Sequence, residues 1–550
     1  MNPEDKKLHD MFFKIFELEM EKNPVLATYF GYKHEKYDHL LPNGSLKEAE
    51  NSISRIIKQK ETLKSEIEYS SLSEEGKLDF DLIEHFLNLE LFNSSELGLW
   101  RSGATASGPV GNIASAIYLL FSREYAPLET RVKAIINRLK NTPQYLEETK
   151  ETWLYPVKLW TEMALEEIPR SIGFLNLIKQ ILEPQLNDEL NQELAHVINI
   201  VSQSFEDYGT WIEQYIKPRA THDWVIGTQK FSRLVELRRI GKTPEEILEI
   251  GYKLLEETND MIQKLAEKLY PDKTVEEIRE LIKSDHPLTF EMVLEHVKEL
   301  TEEAKEFIIK NDLMDVPEEE DLKVAPTPSF LIPILPFAAY MPPEKFSTHQ
   351  MGEYIVTPIE GNENMLKEHS YASCKNTAVH EAYPGHHLQI ASANLQPNLI
   401  RTIVQGDETV EGWAHYCEQL MAEKGFLGDH EIFIQLIDQL WRAVRIIVDV
   451  KIHQGKMSFE EAKELMITKI GMEESAVIAE LKRYTATPSY QFSYLLGKVL
   501  LLELREEIKE KLGNKYSDRF FHNTILHNGG LPIHFLRRLF DIKIKNSEIT

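Results

Sequence analysis

The sequence predicts a mainly α-helical protein, a large helical body carrying one small β-sheet. Three observations support this. Only 25 glycines and 25 prolines occur in 550 residues, which leaves few turns and favours long helices. Apolar residues recur at the 3.6-residue period over long stretches. Helix starts are also marked chemically: Thr243-Pro244-Glu245-Glu246, Thr274-Val275-Glu276-Glu277 and Ser458-Phe459-Glu460-Glu461 each place a capping hydroxyl three residues before a glutamate.

In chain order, Glu74 to Phe92, Arg131 to Thr149 and Gln192 to Ile216 read as amphipathic helices. The run from Pro244 to about Tyr270 is the next, with proline at its first position where no backbone donor is missed. The pattern breaks between residues 311 and 357. There Ser329 to Tyr340 and Gly352 to Thr357 read as short strands, and the prolines confine the first to a sheet edge. No polar linker divides the chain. It is therefore expected to be one catalytic domain over residues 1–550, with a helical lobe at 1–310, a small sheet region at 311–360 and a second helical lobe at 361–550 that carries the metal-binding residues.

Charge and cysteine content bound the function. Lys and Arg number 62 against 89 Asp and Glu, a formal charge of −27. That excess repels phosphate at long range and argues against a nucleic-acid partner. The two cysteines, Cys374 and Cys417, exclude a disulfide scaffold and fit a reducing compartment. Charges interrupt the N-terminal segment, so it lacks the apolar core of a signal peptide. No run approaches about 18 apolar residues. The expectation is a cytoplasmic protein with no membrane partner.

The chemistry concentrates in His380-Glu381-Ala382-Tyr383-Pro384-Gly385-His386-His387 and in Glu411-Gly412-Trp413-Ala414-His415-Tyr416-Cys417-Glu418. Hydrolysis assisted by zinc requires about three imidazole or carboxylate ligands, an open position for water, and a further carboxylate to move its proton. His380-Glu381 begins such an arrangement, but Pro384 stands where the second histidine is usual, four residues on. On a regular helix, six residues leave His380 and His386 about 120° apart, and seven separate His380 from His387 by about 10 Å. One shared ion therefore needs a break in the helix. Pro384-Gly385 supplies it, since proline removes a backbone donor and glycine permits unusual dihedrals. The break is expected to return His386 beside His380. Glu411 on the next helical stretch supplies a third ligand.

These two segments resemble the signature of the domain of unknown function 885 family. The resemblance continues through Arg442 to His453, Arg483-Tyr484, Pro488 to Lys498 and Phe521 to Pro532, and covers nearly the whole chain. That family is similar to helical zinc peptidases such as the carboxypeptidase Taq family and angiotensin-converting enzyme. The resemblance implies two helical lobes around a deep cleft, with the sheet beside the metal helix. It implies one zinc ion per chain on His380, His386 and Glu411, with Glu381 as general base and then acid. The residues inserted between the histidines leave His387 as an alternative to His386, which is preferred. The same ligands accept manganese or cobalt.

Donors for a developing oxyanion are sought in the segment Lys482 to Tyr494, where Tyr484 and Tyr494 are the candidates. Arg483 is a candidate for holding a substrate carboxylate through its fork of donors. Asp449 is a candidate for orienting a ligand imidazole. Tyr354, on the strand before the metal helix, is the candidate for contact with an extended peptide along an exposed edge. The expected activity is hydrolysis of an amide bond in short peptides, as a carboxypeptidase or oligopeptidase. The alternatives are a zinc hydrolase of a non-peptide amide and a non-catalytic helical binding protein.

Overall fold

The computed structural model describes residues 2–103, 108–327, 337–358 and 363–548. The protein is mainly helical, with 74% helix and 4% strand. Each predicted capping box closes. Thr243 caps helix Pro244–Leu269, Thr274 caps Val275–Ser284 and Ser458 caps Phe459–Ile470, with hydroxyl and glutamate satisfying each other's backbone donors. The predicted helix at 74–92 runs Glu74–Leu91. The stretch 131–149 is two helices, Leu128–Lys140 and Thr142–Thr149. Pro143 has no N–H to continue the first ladder, so the chain restarts there. The stretch 192–216 begins earlier, at Asp188, because Asn187 accepts the Leu190 N–H. Its last five residues, Ile212–Ile216, widen into a π-turn.

Apolar side chains sort into several cores. The largest joins the two ends of the chain: Leu8, Phe12, Leu78 and Ile83 pack with Tyr383, Trp413, Leu496, Phe521 and Phe540. A second core, including Ile113, Ile135, Leu175, Val201 and Phe205, takes its buried members from residues 110–216, with Leu41 packed against it.

The sheet has three strands, β1 (Glu320–Pro326), β2 (Ala338–Met341) and β3 (Gln350–Val356), in the order β1-β3-β2. β3 pairs in parallel with β1 and antiparallel with β2. The central position of β3 corrects the expectation of an exposed edge at 352–357. β2 is one of the two edge strands and coincides with the end of the predicted 329–340 strand, whose residues 329–336 lie outside the described residues. β1 was not anticipated; its mixed sequence Glu-Asp-Leu-Lys-Val-Ala-Pro has too few apolar positions to announce a strand.

Two helices form the floor under the candidate site. Asp407–Glu423 and Ser493–Leu512 cross where Gly412 meets Gly497. A Cβ on Gly412 would lie 2.4 Å from the Gly497 carbonyl carbon, and one on Gly497 would lie 1.9 Å from the Glu408 backbone carbonyl oxygen. Only glycine permits this approach. Among the described residues, no helix is long and apolar enough to cross a membrane.

Candidate metal centre

Helix Tyr371–Glu381 is capped by Ala382, and a new helix, His386–Asn394, begins four residues after that cap. The backbone doubles back so closely that a Cβ on Gly385 would stand 1.8 Å from the His380 carbonyl oxygen. The turn is held from below: Trp413 Nε1 donates to the Pro384 carbonyl at 2.8 Å, and the Cys417 thiol donates to the same oxygen. His386 consequently lies beside His380, with ring centroids 4.9 Å apart and planes at 84°.

Helix Asp407–Glu423 faces this turn. Glu411, His415 and Glu418 recur at steps of four and three residues, so all three lie on one side of it. His386 Nε2 is 3.8 Å from Glu411 Oε2. Two ligand atoms of a tetrahedral zinc ion stand about 3.4 Å apart, so this pair fits around one ion. The other Glu411 oxygen accepts a 2.5 Å bond from the Tyr490 hydroxyl. Glu418 accepts from His380 Nδ1 at 2.7 Å and lies 3.1 Å from His415 Nδ1. These two contacts leave Nε2 as the remaining nitrogen of each ring, and His415 Nε2 is buried without a hydrogen-bond partner.

Among the described residues, one group of histidine and carboxylate ligand atoms approaches closely enough to share a divalent ion. Ligand atoms of His380, His415 and Glu418 lie within 4.8 Å of one another. Exposure separates that group from the sequence-derived set. The side chains of His380, His386 and Glu411 retain 14%, 13% and 15% exposure, whereas His415 and Glu418 retain 3% and 4%. A catalytic ion needs a position open to water, and a buried carboxylate behind an imidazole acts as its orienting partner.

Electrostatics follow from this crowding. Burial works against charge on Glu418, yet His415 and His380 hold its carboxyl far below the usual range. Burial likewise opposes protonation of His380, but the Glu418 bond prevails and raises its pKa. Burial, with His380 adding to it, lowers His386. Burial takes His415 down to about 4. The Glu381 charge acts on His380, His386, Tyr340 and Tyr354, so its carboxylate lies in their neighbourhood.

His387, the neighbour of His386, is turned away. Its ring is fully buried, Nε2 contacts Glu320 and Nδ1 is 3.0 Å from the Tyr340 hydroxyl. The Tyr383 hydroxyl also donates to Glu320 at 2.6 Å. Both nitrogens of His387 are thus engaged by the sheet.

The other candidates have distinct surroundings. Tyr494 lies 6.0 Å from the His415 ring and 5.7 Å from Tyr490, under the Arg445 guanidinium. Tyr484 is fully buried in a helix-packing core and its hydroxyl accepts from Arg445 Nε at 2.7 Å. Arg483 donates to Glu480 at 2.8 Å. Tyr354 packs into the main core, and burial pushes its phenol well above the usual value. Asp449 touches no imidazole of the group. It accepts the backbone N–H groups of Ser489 and Phe492 and so fixes the turn that carries Tyr490. Cys374 and Cys417 are buried free thiols. Sequence reasoning missed Tyr490, His415 and Glu418. The last two were detectable as the next residues on the face marked by Glu411.

Fold and site together define a mainly helical protein with a histidine–glutamate cluster set at a broken helix. The chain belongs to the family described as "Bacterial protein of unknown function (DUF885)", whose pattern matches residues 24–540. No curated protein matches it. Among solved structures it is similar to "the putative lipoprotein from Colwellia psychrerythraea", with a TM-score of 0.85 and 20% identity over 99% of each chain. It is also similar to "a putative lipoprotein of unknown function from Shewanella oneidensis", with a TM-score of 0.78 and 20% identity over 97% of this chain and 99% of that one. At this identity the likeness is one of fold. The expectation of a cytoplasmic protein is corrected here. Both structures are described as lipoproteins, a class attached to membranes, so cysteine usage and N-terminal charge do not establish the compartment.

Proposed function

We propose that the protein is a zinc-dependent hydrolase of amide bonds, a metallopeptidase acting on short peptides in a cleft between helical lobes. The observation that carries this reading is the broken helix, which sets His380 and His386 side by side with Glu411 3.8 Å from His386. His380, His386 and Glu411 would hold the ion. Zinc there would supply a Lewis acid for the substrate carbonyl and lower the pKa of water.

The remaining work falls to the chain's own residues. Glu381 is the base that takes a proton from the attacking water and returns it to the leaving amine. Glu418 keeps the Nδ1 proton of His380 in place and thereby directs Nε2 outward. Tyr490 and Tyr494 stand beside Glu411 and His415 and are placed to donate to the developing oxyanion, with Tyr490 exchanging its bond to Glu411 for one to substrate. Tyr484 supports Tyr494 through their shared Arg445. Arg483 would hold a substrate carboxylate with the donors that Glu480 leaves free.

Metal analysis of the purified protein tests the site. One zinc per chain, lost in His380→Ala and in His386→Ala, is expected. A second reading, an ion buried on His380, His415 and Glu418, is favoured by their mutual approach. It predicts that His386→Ala keeps its zinc and that the ion serves structure alone.

A further inference from the structure

A cavity of about 280 Å³ opens one helical turn from Glu411. Its lining includes the apolar Leu89, Leu97, Trp100 and Leu234 together with the polar Asn93 and Asp407. Two elements tie it to the candidate centre. Asp407 precedes Glu411 by four residues on the same helix, which is about 6 Å along the axis on the same face. Pro488 and Ser489, which also line the cavity, lead directly into Tyr490, the residue bonded to Glu411.

We propose that this cavity is the subsite for a bulky apolar side chain of the peptide, at a residue next to the scissile amide. The inference rests on the reading of the site as an amide hydrolase and names its side-chain preference. Volume supports it, since apolar cavities of about 150 Å³ already accept benzene. Charge supports it too. Among the described residues of the lining the one cation is Arg238, which is nearly buried and already bonded to Glu408 at 2.8 Å, to the Ser489 hydroxyl at 3.1 Å and to the Ser493 hydroxyl at 3.0 Å. Asp407 and Glu408 face it with two carboxylates. The described lining therefore offers no anion site, and an acidic side chain would meet Asp407.

The test uses peptides that differ only in one residue flanking the cleaved bond: alanine, leucine, phenylalanine, glutamate or lysine. Zinc-loaded protein is expected to cut the phenylalanine peptide with kcat/KM at least tenfold above the alanine peptide, with glutamate lowest. Leu97→Trp, which fills the cavity, is expected to reduce the phenylalanine-to-alanine ratio at least tenfold. Trp100→Ala, which enlarges it, should move the optimum to a larger side chain. Calorimetric binding of the same peptides to Glu381→Gln reads the cavity even where nothing is cut. Ratios that both variants leave unchanged, or a preference for lysine or glutamate, would overturn the subsite while leaving the hydrolase reading intact. Failure of the parent to bind zinc or cut any peptide would instead overturn the hydrolase reading.

Discussion

His386 and His387 are neighbours in sequence and enter different worlds. His386 faces Glu411 across 3.8 Å with access to solvent. His387 is sealed between Glu320 and Tyr340 with no exposure. Each is an imidazole beside a carboxylate, so the pairing alone does not mark a metal site. What differs is the unspent capacity. Glu320 is bonded to Tyr383 and His387 and paired with Lys305 at 2.6 Å, and His387 has no free nitrogen. On the other side of the turn His415 Nε2 has no hydrogen-bond partner, and His386 and Glu411 stay partly exposed. One face anchors the turn to the sheet, and the other is the face on which the proposed chemistry would fall.

Substitutions on each face can break this comparison. The largest effect is expected from Glu381→Gln, which should lower turnover about 100- to 10,000-fold while zinc stays at one per chain. Equal peptide hydrolysis by this variant would remove Glu381 from the chemistry. On the anchoring face, His387→Leu strips a partner from the buried Glu320 and should cost about 3 kcal/mol of stability in urea unfolding. Lys305 remains to pair with Glu320, which keeps the loss at that level. Zinc should still bind at saturating concentration, and its complete loss would mean that the anchor and the metal face are not separate.

A smaller effect is expected from Glu418→Gln. The carboxylate that orients His380 and His415 becomes an amide, and zinc should bind about 10- to 100-fold more weakly. Competition with a chelating dye measures this. Unchanged affinity would assign Glu418 to packing alone. The smallest effect concerns a histidine with no carboxylate bonded to it. His522 is fully buried, with Nδ1 donating to the Leu313 carbonyl and Nε2 accepting from Tyr416. Burial takes its pKa from 6.5 down to about 4. Below about pH 6.5 the unfolded chain binds a proton that the folded chain refuses. This contribution is therefore present above pH 6.5 and is lost as pH falls toward 4, at up to about 1.4 kcal/mol per unit. Unfolding free energies at pH 7, 6 and 5 should show this slope, and His522→Gln should flatten it.

Local chemistry was legible where neighbouring residues decide it. Thr243, Thr274 and Ser458 start helices because a hydroxyl and a glutamate three residues apart satisfy each other's donors wherever the helix goes. Pro384-Gly385 had to break the helix, because proline lacks the donor and only glycine tolerates the His380 carbonyl at its back. Tyr490 was not legible, because its reach to Glu411 depends on Asp449 gripping the 489–492 turn and on Gly412 resting against Gly497. Asp449 reads from sequence as a partner for a ligand imidazole, and only the placement of the 489–492 turn shows that it grips backbone instead.

The sequence by itself determined that helices dominate, where several of them begin, and that the chain must fold back between His380 and His386. These outcomes depend on covalent geometry and on hydrogen bonds spanning a few residues. The tertiary structure decided that β3 is central, that Leu8 shares a core with Phe540, and that His387 serves Glu320 while His386 faces Glu411. Those outcomes depend on which distant surfaces bury each other, and burial sets whether an imidazole is spent on packing or left open to an ion.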